Sequence, residues 1–404
     1  MWKPIINEKD INLILNKIYD AIKLDSLFVN DIGMLSGLAG IAQFCFYYGK
    51  YLKRDEPAEI GLNIINKIFE KIEHKYQLPT YCSGIAGAAW SIIHLSENDF
   101  LDVDCDIVLN GIDDYLGNQM NYYIANNKYD YLHGAIGIGL YFLKRFETTK
   151  NDKLKAKYLV YLVQLLSYLK ETSIVDKQSD GLKWESLSGV KNDNLVYNLG
   201  LAHGIPSILY FLNRLALNGI EVNKSNTLLW KGINYLQYSK LEGNEISLYP
   251  SIISDNAKTS HSRLAWCYGD LGIGSVFSQL KITSVNEDAR KIFLLSVKRT
   301  NLDENNVVDA GICHGAMGIA HIFNRQYQAS DNVELKNAAL YWLHKGIEMA
   351  VHVDGCAGFL KWDNTNKEWV KELCLLNGIS GIGLVLISMI SDIDPAWDEC
   401  LLLS

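Results

Sequence analysis

Two kinds of apolar pattern alternate along the chain. One is nearly continuous: Ile41-Ala42-Gln43-Phe44-Cys45-Phe46-Tyr47-Tyr48 is apolar almost all round a helical wheel, as a helix buried on every side should be. The other is amphipathic. Ile60, Ile64, Ile65, Ile68, Phe69 and Ile72 recur at helical spacing, while Lys67, Glu70 and Lys71 fall on the opposite face. The first kind predicts inner helices, and the second predicts outer helices packed behind them.

Each inner run opens with a glycine-containing tip, as in Leu35-Ser36-Gly37-Leu38-Ala39-Gly40 and Tyr131-Leu132-His133-Gly134-Ala135-Ile136-Gly137. Seven tips align on Gly37, Gly84, Gly134, Gly204, Gly269, Gly315 and Gly378, at spacings of 47, 50, 70, 65, 46 and 63 residues. Each interval holds two helices and their connections, the period of a stacked array of helical hairpins. Seven hairpins can close into a ring, which removes the need for capping repeats. The expected fold is all-α: an α/α toroid of seven inner and seven outer helices, forming one domain over residues 1–404. Proline is scarce, with six residues, and only Pro206 enters a tip, where the first helical turn tolerates it.

The wider spacings predict decorations on this scaffold. Asp176 to Asn198 and Gly243 to Arg263 are polar and irregular, and Phe359 to Trp369 reads as strand, turn and strand. Loops of this length often cover or shape a site.

Composition narrows the function classes. A chain of 404 residues with 49% hydrophobic content can bury a large core. A net charge of −8 without a basic cluster disfavours a nucleic-acid partner. The first residues lack the apolar run of a secretion signal, and the apolar stretch near Leu384 is too interrupted to span a bilayer, so a cytoplasmic protein is expected, with any membrane association made through partners. In that setting eight dispersed cysteines read as free or metal-bound thiols.

Three residues stand out as ligands. Cys267 and Cys313 both lie two residues before the aligned glycine, in the fifth and sixth repeats, and His314 follows Cys313. Those repeats are neighbours in a ring, so the thiols should meet. Two thiols and an imidazole, with a fourth position left for substrate, form the pattern of catalytic zinc. Cys82 shares the register from the second repeat and reads as a packed thiol. Cys45, Cys105, Cys356, Cys374 and Cys400 read as core.

Arg263-Leu264-Ala265-Trp266-Cys267-Tyr268-Gly269, Cys313-His314-Gly315, Ala202-His203-Gly204 and the repeated Gly-x-x-Gly helix starts resemble the LanC lanthipeptide cyclases of the stand-alone class I type, over nearly the whole chain. The resemblance implies an α/α toroid with one Zn2+ held by Cys267, Cys313 and His314. It further implies thioether rings made by adding peptide Cys thiols to dehydroalanine or dehydrobutyrine. His203 and Asp130 would be active-site residues, the first exchanging protons and the second orienting it. Arg263 and Tyr268 would face developing negative charge. His133, in the register of His203, reads as pocket lining. The implied partners are a dehydrated precursor peptide with its leader, a dehydratase and an ABC exporter. A glutathione-binding or glutathione-adding relative, or a non-catalytic zinc-stabilised peptide scaffold, would use the same motifs. A toroidal glycosidase fits less well, since the tips lack paired carboxylates.

Overall fold

The computed structural model describes residues 2–7, 9–186, 195–243, 246–254 and 261–404, and most of them are helical. In chain order the helices are α1 (Lys9–Asp25), α2 (Leu38–Leu52), α3 (Glu56–Glu73), α4 (Ile85–Glu97), the single turn α5 (Cys105–Val108), α6 (Asn110–Ala125), α7 (Ala135–Thr148) and α8 (Asp152–Glu171). They continue with α9 (Ile205–Leu217), α10 (Val222–Tyr238), α11 (Asp270–Gln279), α12 (Thr283–Ser296), α13 (Ala316–Ser330), α14 (Val333–Glu348) and α15 (Ile379–Ile390). None is long and apolar enough to cross a membrane among the described residues.

Every aligned glycine is the residue before a helix, heading α2, α4, α7, α9, α11, α13 and α15 in turn. These seven are the apolar runs, and α2 is buried without a break from Leu38 to Gly49. The amphipathic segments form helices between them, such as α3, which buries Ile64, Ile65 and Ile68.

None of the seven glycine-headed helices is capped by the side chain before it. In α2, α7, α13 and α15 the first free amide is instead met by a backbone carbonyl seven residues back: Leu38 N–H donates to Asp31 O, Ala135 N–H to Lys128 O, Ala316 N–H to Asp309 O and Ile379 N–H to Glu372 O. Folding the chain back so tightly leaves no room for a side chain. A Cβ on Gly315 would lie 2.5 Å from Asp309 O, and one on Gly381 would overlap Leu375 O. The fifth tip departs from the others, because Gly269 has a φ of +77°, a conformation open to glycine and costly for most other residues.

Two compact units divide the chain. The first comprises residues 1–78, 263–266 and 293–404. In it α15 lies between α13 and α2, with α14 behind α13, α3 behind α2 and α1 against α15. The last repeat is therefore the neighbour of the first. The N-terminal segment docks on the same layer, with the Trp2 indole donating to Ser388 O at 2.7 Å and Ile5 N–H to Met389 O at 2.9 Å. A buried ionic cluster lies nearby, in which Asp398 accepts from His321 Nε2 at 2.7 Å and from Arg325 at 2.9 Å.

The second unit comprises residues 79–262 and 267–292, and the chain leaves it within α12. Here α4, α7, α9 and α11 pack successively, with α8 behind α7 and α10 behind α9. Arg145 is fully buried and forms an ion pair with the equally buried Asp113 at 2.9 Å. The Asp113 carboxylate also accepts from the Tyr141 and Tyr158 hydroxyls, so the charges of this pair are met.

The decorations are short antiparallel pairs. Strand β1 (Ile174–Asp176) pairs with β2 (Gly181–Lys183), β3 (Val196–Asn198) with β4 (Ile252–Ser254), and β5 (Lys361–Asp363) with β6 (Glu368–Val370). The last is the strand-turn-strand expected between Phe359 and Trp369. In the other two stretches, residues 187–194, 244–245 and 255–260 lie outside the described residues.

Candidate active site

The position two residues before each aligned glycine carries a backbone belt. In the first unit Cys313 N–H donates to Leu376 O at 3.0 Å, and Leu376 N–H donates to Leu35 O at 2.8 Å. In the second, Cys82 N–H donates to Leu132 O at 3.0 Å and Ala202 N–H to Cys267 O at 3.3 Å. The second, fourth, sixth and seventh repeats thus hand an amide to the carbonyl of the following one, at the register of both candidate cysteine ligands.

Trp266 belongs to the first unit, where its indole donates to Leu401 O at 2.8 Å, and Cys267 is the next residue along the chain. The ligand atoms of Cys267, Cys313 and His314 lie within 4.8 Å of one another, the only such group among the described residues. Cys267 is buried, whereas Cys313 and His314 are half-buried. Donors around a tetrahedral zinc stand about 3.5 Å apart, so small side-chain adjustments would close this set on one ion. Two sulfurs and a ring nitrogen suit a borderline-soft metal and leave one of four positions vacant. Cys82, in the same register, lies outside the group. Cys45, Cys356, Cys374 and Cys400 are buried as expected, whereas Cys105 is only partly so.

The second unit carries an aspartate–histidine pair beside Cys267. Asp130 accepts from the backbone N–H of His133 at 2.7 Å with one carboxylate oxygen, and its other oxygen is 2.5 Å from His203 Nδ1. Both come from glycine tips: Asp130 lies four residues before Gly134, and His203 directly precedes Gly204. The His133 and His203 rings stack at 6.0 Å. Burial is the largest influence on His203 and pulls its pKa down, but the hydrogen bond and charge of Asp130, with the Cys267 sulfur, outweigh it and leave the pKa raised. His133 goes the other way, lowered chiefly by burial and further by His203. The environment thus shifts the two imidazoles in opposite directions, favouring the protonated form of His203 and the neutral form of His133.

Asp130, His133 and His203 line a cavity of about 320 Å³ together with Asn127, Tyr129 and Ser186. His133 is thus pocket lining, as read from its register. Tyr129 and Ser186 were not legible as site residues. The Tyr129 hydroxyl is buried without a hydrogen-bond partner among the described residues, and burial raises its pKa. Tyr268, half-buried, lies against Gly200, where an added Cβ would meet its ring at 2.6 Å. Arg263 belongs to the first unit, half-buried and without an ion pair among the described residues.

Comparison with known proteins identifies the family and the fold. The family described as lanthionine synthetase C-like protein matches residues 29–402. The nisin biosynthesis protein NisC of Lactococcus lactis subsp. lactis is 26% identical over 303 residues, covering 67% of this chain and 69% of NisC. The solved structure of nisin cyclase superposes with a TM-score of 0.76 at 19% identity, covering 98% of each chain. That likeness shows the fold, an α/α toroid, as the seven glycine-headed helices led one to expect. With the family matched over most of its length, the chain belongs to the lanthionine synthetase C-like proteins.

Proposed function

We propose that the chain, acting as one domain over residues 1–404, is a zinc-dependent peptide cyclase. It would add peptide Cys thiols to dehydroalanine or dehydrobutyrine, giving lanthionine or methyllanthionine rings. The observation that carries the reading is the convergence of the Cys267, Cys313 and His314 donors, with an Asp130-oriented His203 electrostatically coupled to Cys267. Membership of the family supports it, as does the printed name of the curated relative, a nisin biosynthesis protein.

Zinc bound by Cys267, Cys313 and His314 would supply the thiolate, since a free thiol of pKa about 8.5 is mostly protonated at neutral pH. The remaining work falls to the chain's own residues. As the new sulfur–carbon bond forms at the β-carbon, the alkene electron pair moves onto the adjacent carbonyl as an enolate. Tyr268 and Arg263 are the proposed donors to that charge. His203, its Nδ1 held by Asp130, presents Nε2 to return a proton to the α-carbon. The net change is S–H added across C=C, with no oxidant or reductant. A dehydratase that makes the unsaturated residues, and an exporter for the product, are the partners this reading implies.

Incubating the zinc-loaded protein with a dehydrated precursor and counting free thiols by alkylation tests it. Loss of thiols without change of peptide mass is expected, and an unchanged thiol count would defeat the reading.

A further inference from the structure

A second cavity adjoins the one at the aspartate–histidine pair. It has a volume of about 220 Å³ and shares Asn127 and Tyr129 with the first, so the Tyr129 ring stands as a common wall. Its other sides come from the end of α8 (Tyr168), from Ile174 at the start of β1, and from Trp184 and Glu185 after β2. The Trp184 ring is fixed, since its indole donates to Leu169 O at 2.7 Å and the side chain is buried. Tyr168 is also nearly buried. The two rings offer a rigid aromatic slot.

Two acceptors in this slot have no hydrogen-bond partner among the described residues. The Glu185 carboxylate is half-buried and forms no ion pair or hydrogen bond among the described residues, and its charge is felt at Tyr129. The Tyr129 hydroxyl is the unpartnered one noted above, on a side chain only 7% exposed. Buried polar groups rarely stay unmet without a functional reason. A carboxylate at the end of an aromatic slot suits a long side chain with a cationic tip: the rings take the methylene stem and attract the charge, while the carboxylate pairs with it.

We propose that this cavity is a side-chain subsite of the peptide substrate, one aromatic ring away from His203, and that it takes a lysine flanking the dehydro residue that reacts. The inference rests on the cyclase reading for its substrate class, and peptide binding measured without turnover tests it separately. The probes are four labelled peptides carrying one cysteine and one dehydroalanine, with lysine or norleucine on either side of the dehydroalanine.

Fluorescence anisotropy should find the lysine peptide bound about tenfold more tightly than its norleucine partner at one of the two flanks, the size of a charge-assisted contact. In Glu185→Gln, shown to be folded by circular dichroism, that ratio should fall to within about twofold. Equal affinities for lysine and norleucine at both flanks, or a lysine preference that survives Glu185→Gln, would overturn the subsite. Thiol counting on the same samples keeps the two ideas apart. Preference without ring closure sinks the cyclase reading and spares the subsite, and ring closure without preference does the reverse.

Discussion

At the residue scale the site sets two imidazoles against each other with one carboxylate. Asp130 → Asn removes the charge that lifts the His203 pKa against burial, so that pKa should fall. The donor form is lost as pH rises through the His203 pKa, so the alkaline limb of the pH–rate profile should move to lower pH in the variant. A limb that stays in place would separate Asp130 from His203. His203→Ala should keep its metal and lose roughly 10²- to 10⁴-fold in turnover, the usual worth of a positioned proton donor. Cys313→Ala should lose both metal and activity, read by elemental analysis and thiol counting, because two donors hold zinc poorly. The cluster of candidate ligands was legible because repeat register places Cys267 and Cys313 at equivalent points. The Asp130–His203 contact was not derivable from spacing, since 73 residues separate its members, and it came from the family resemblance. Tyr129 and Glu185 gave no sequence signal, because an unpartnered group becomes visible only once the surrounding chain has closed over it.

At the scale of the element, each tip trades side chains for backbone. Alanine normally favours a helix over glycine by about 1 kcal/mol. Gly381→Ala and Gly318→Ala should nevertheless destabilise, by about 2 kcal/mol or more, since the new methyl would overlap Leu375 O or Ile312 O. A lowered thermal midpoint is the expected result, and a raised one would show that the turn can relax. The glycine register made these starts legible, and all seven helices begin where it pointed. The pairing of β3 with β4 was not legible, because its partners lie on either side of α9 and α10 and are too short to show alternation.

At the scale of the molecule, buried charge sets the response to acid. Burial is the largest influence on Asp398 and opposes ionisation, but Arg325 and His321 overcome it and hold its pKa below the usual value. Its contribution is complete above about pH 3.9 and is lost as pH falls through the folded value. His321 is lowered chiefly by burial, so the unfolded chain takes up its proton first, and stability starts to fall below about pH 6.5. Both groups point the same way. The thermal midpoint should decline steadily from pH 6.5 downward, and Asp398→Asn should flatten the lowest part of that decline. A midpoint insensitive to pH over that range would refute the assignment. The belt of amides has a different consequence. Because the main chain at that register is already committed to its neighbour, what hangs from it is free to differ: leucine at 35, 132 and 376, alanine at 202, cysteine at 82, 267 and 313. Within each unit the tips are interchangeable sockets on a fixed backbone, and a different side chain can be seated in one without redrawing the frame that holds it.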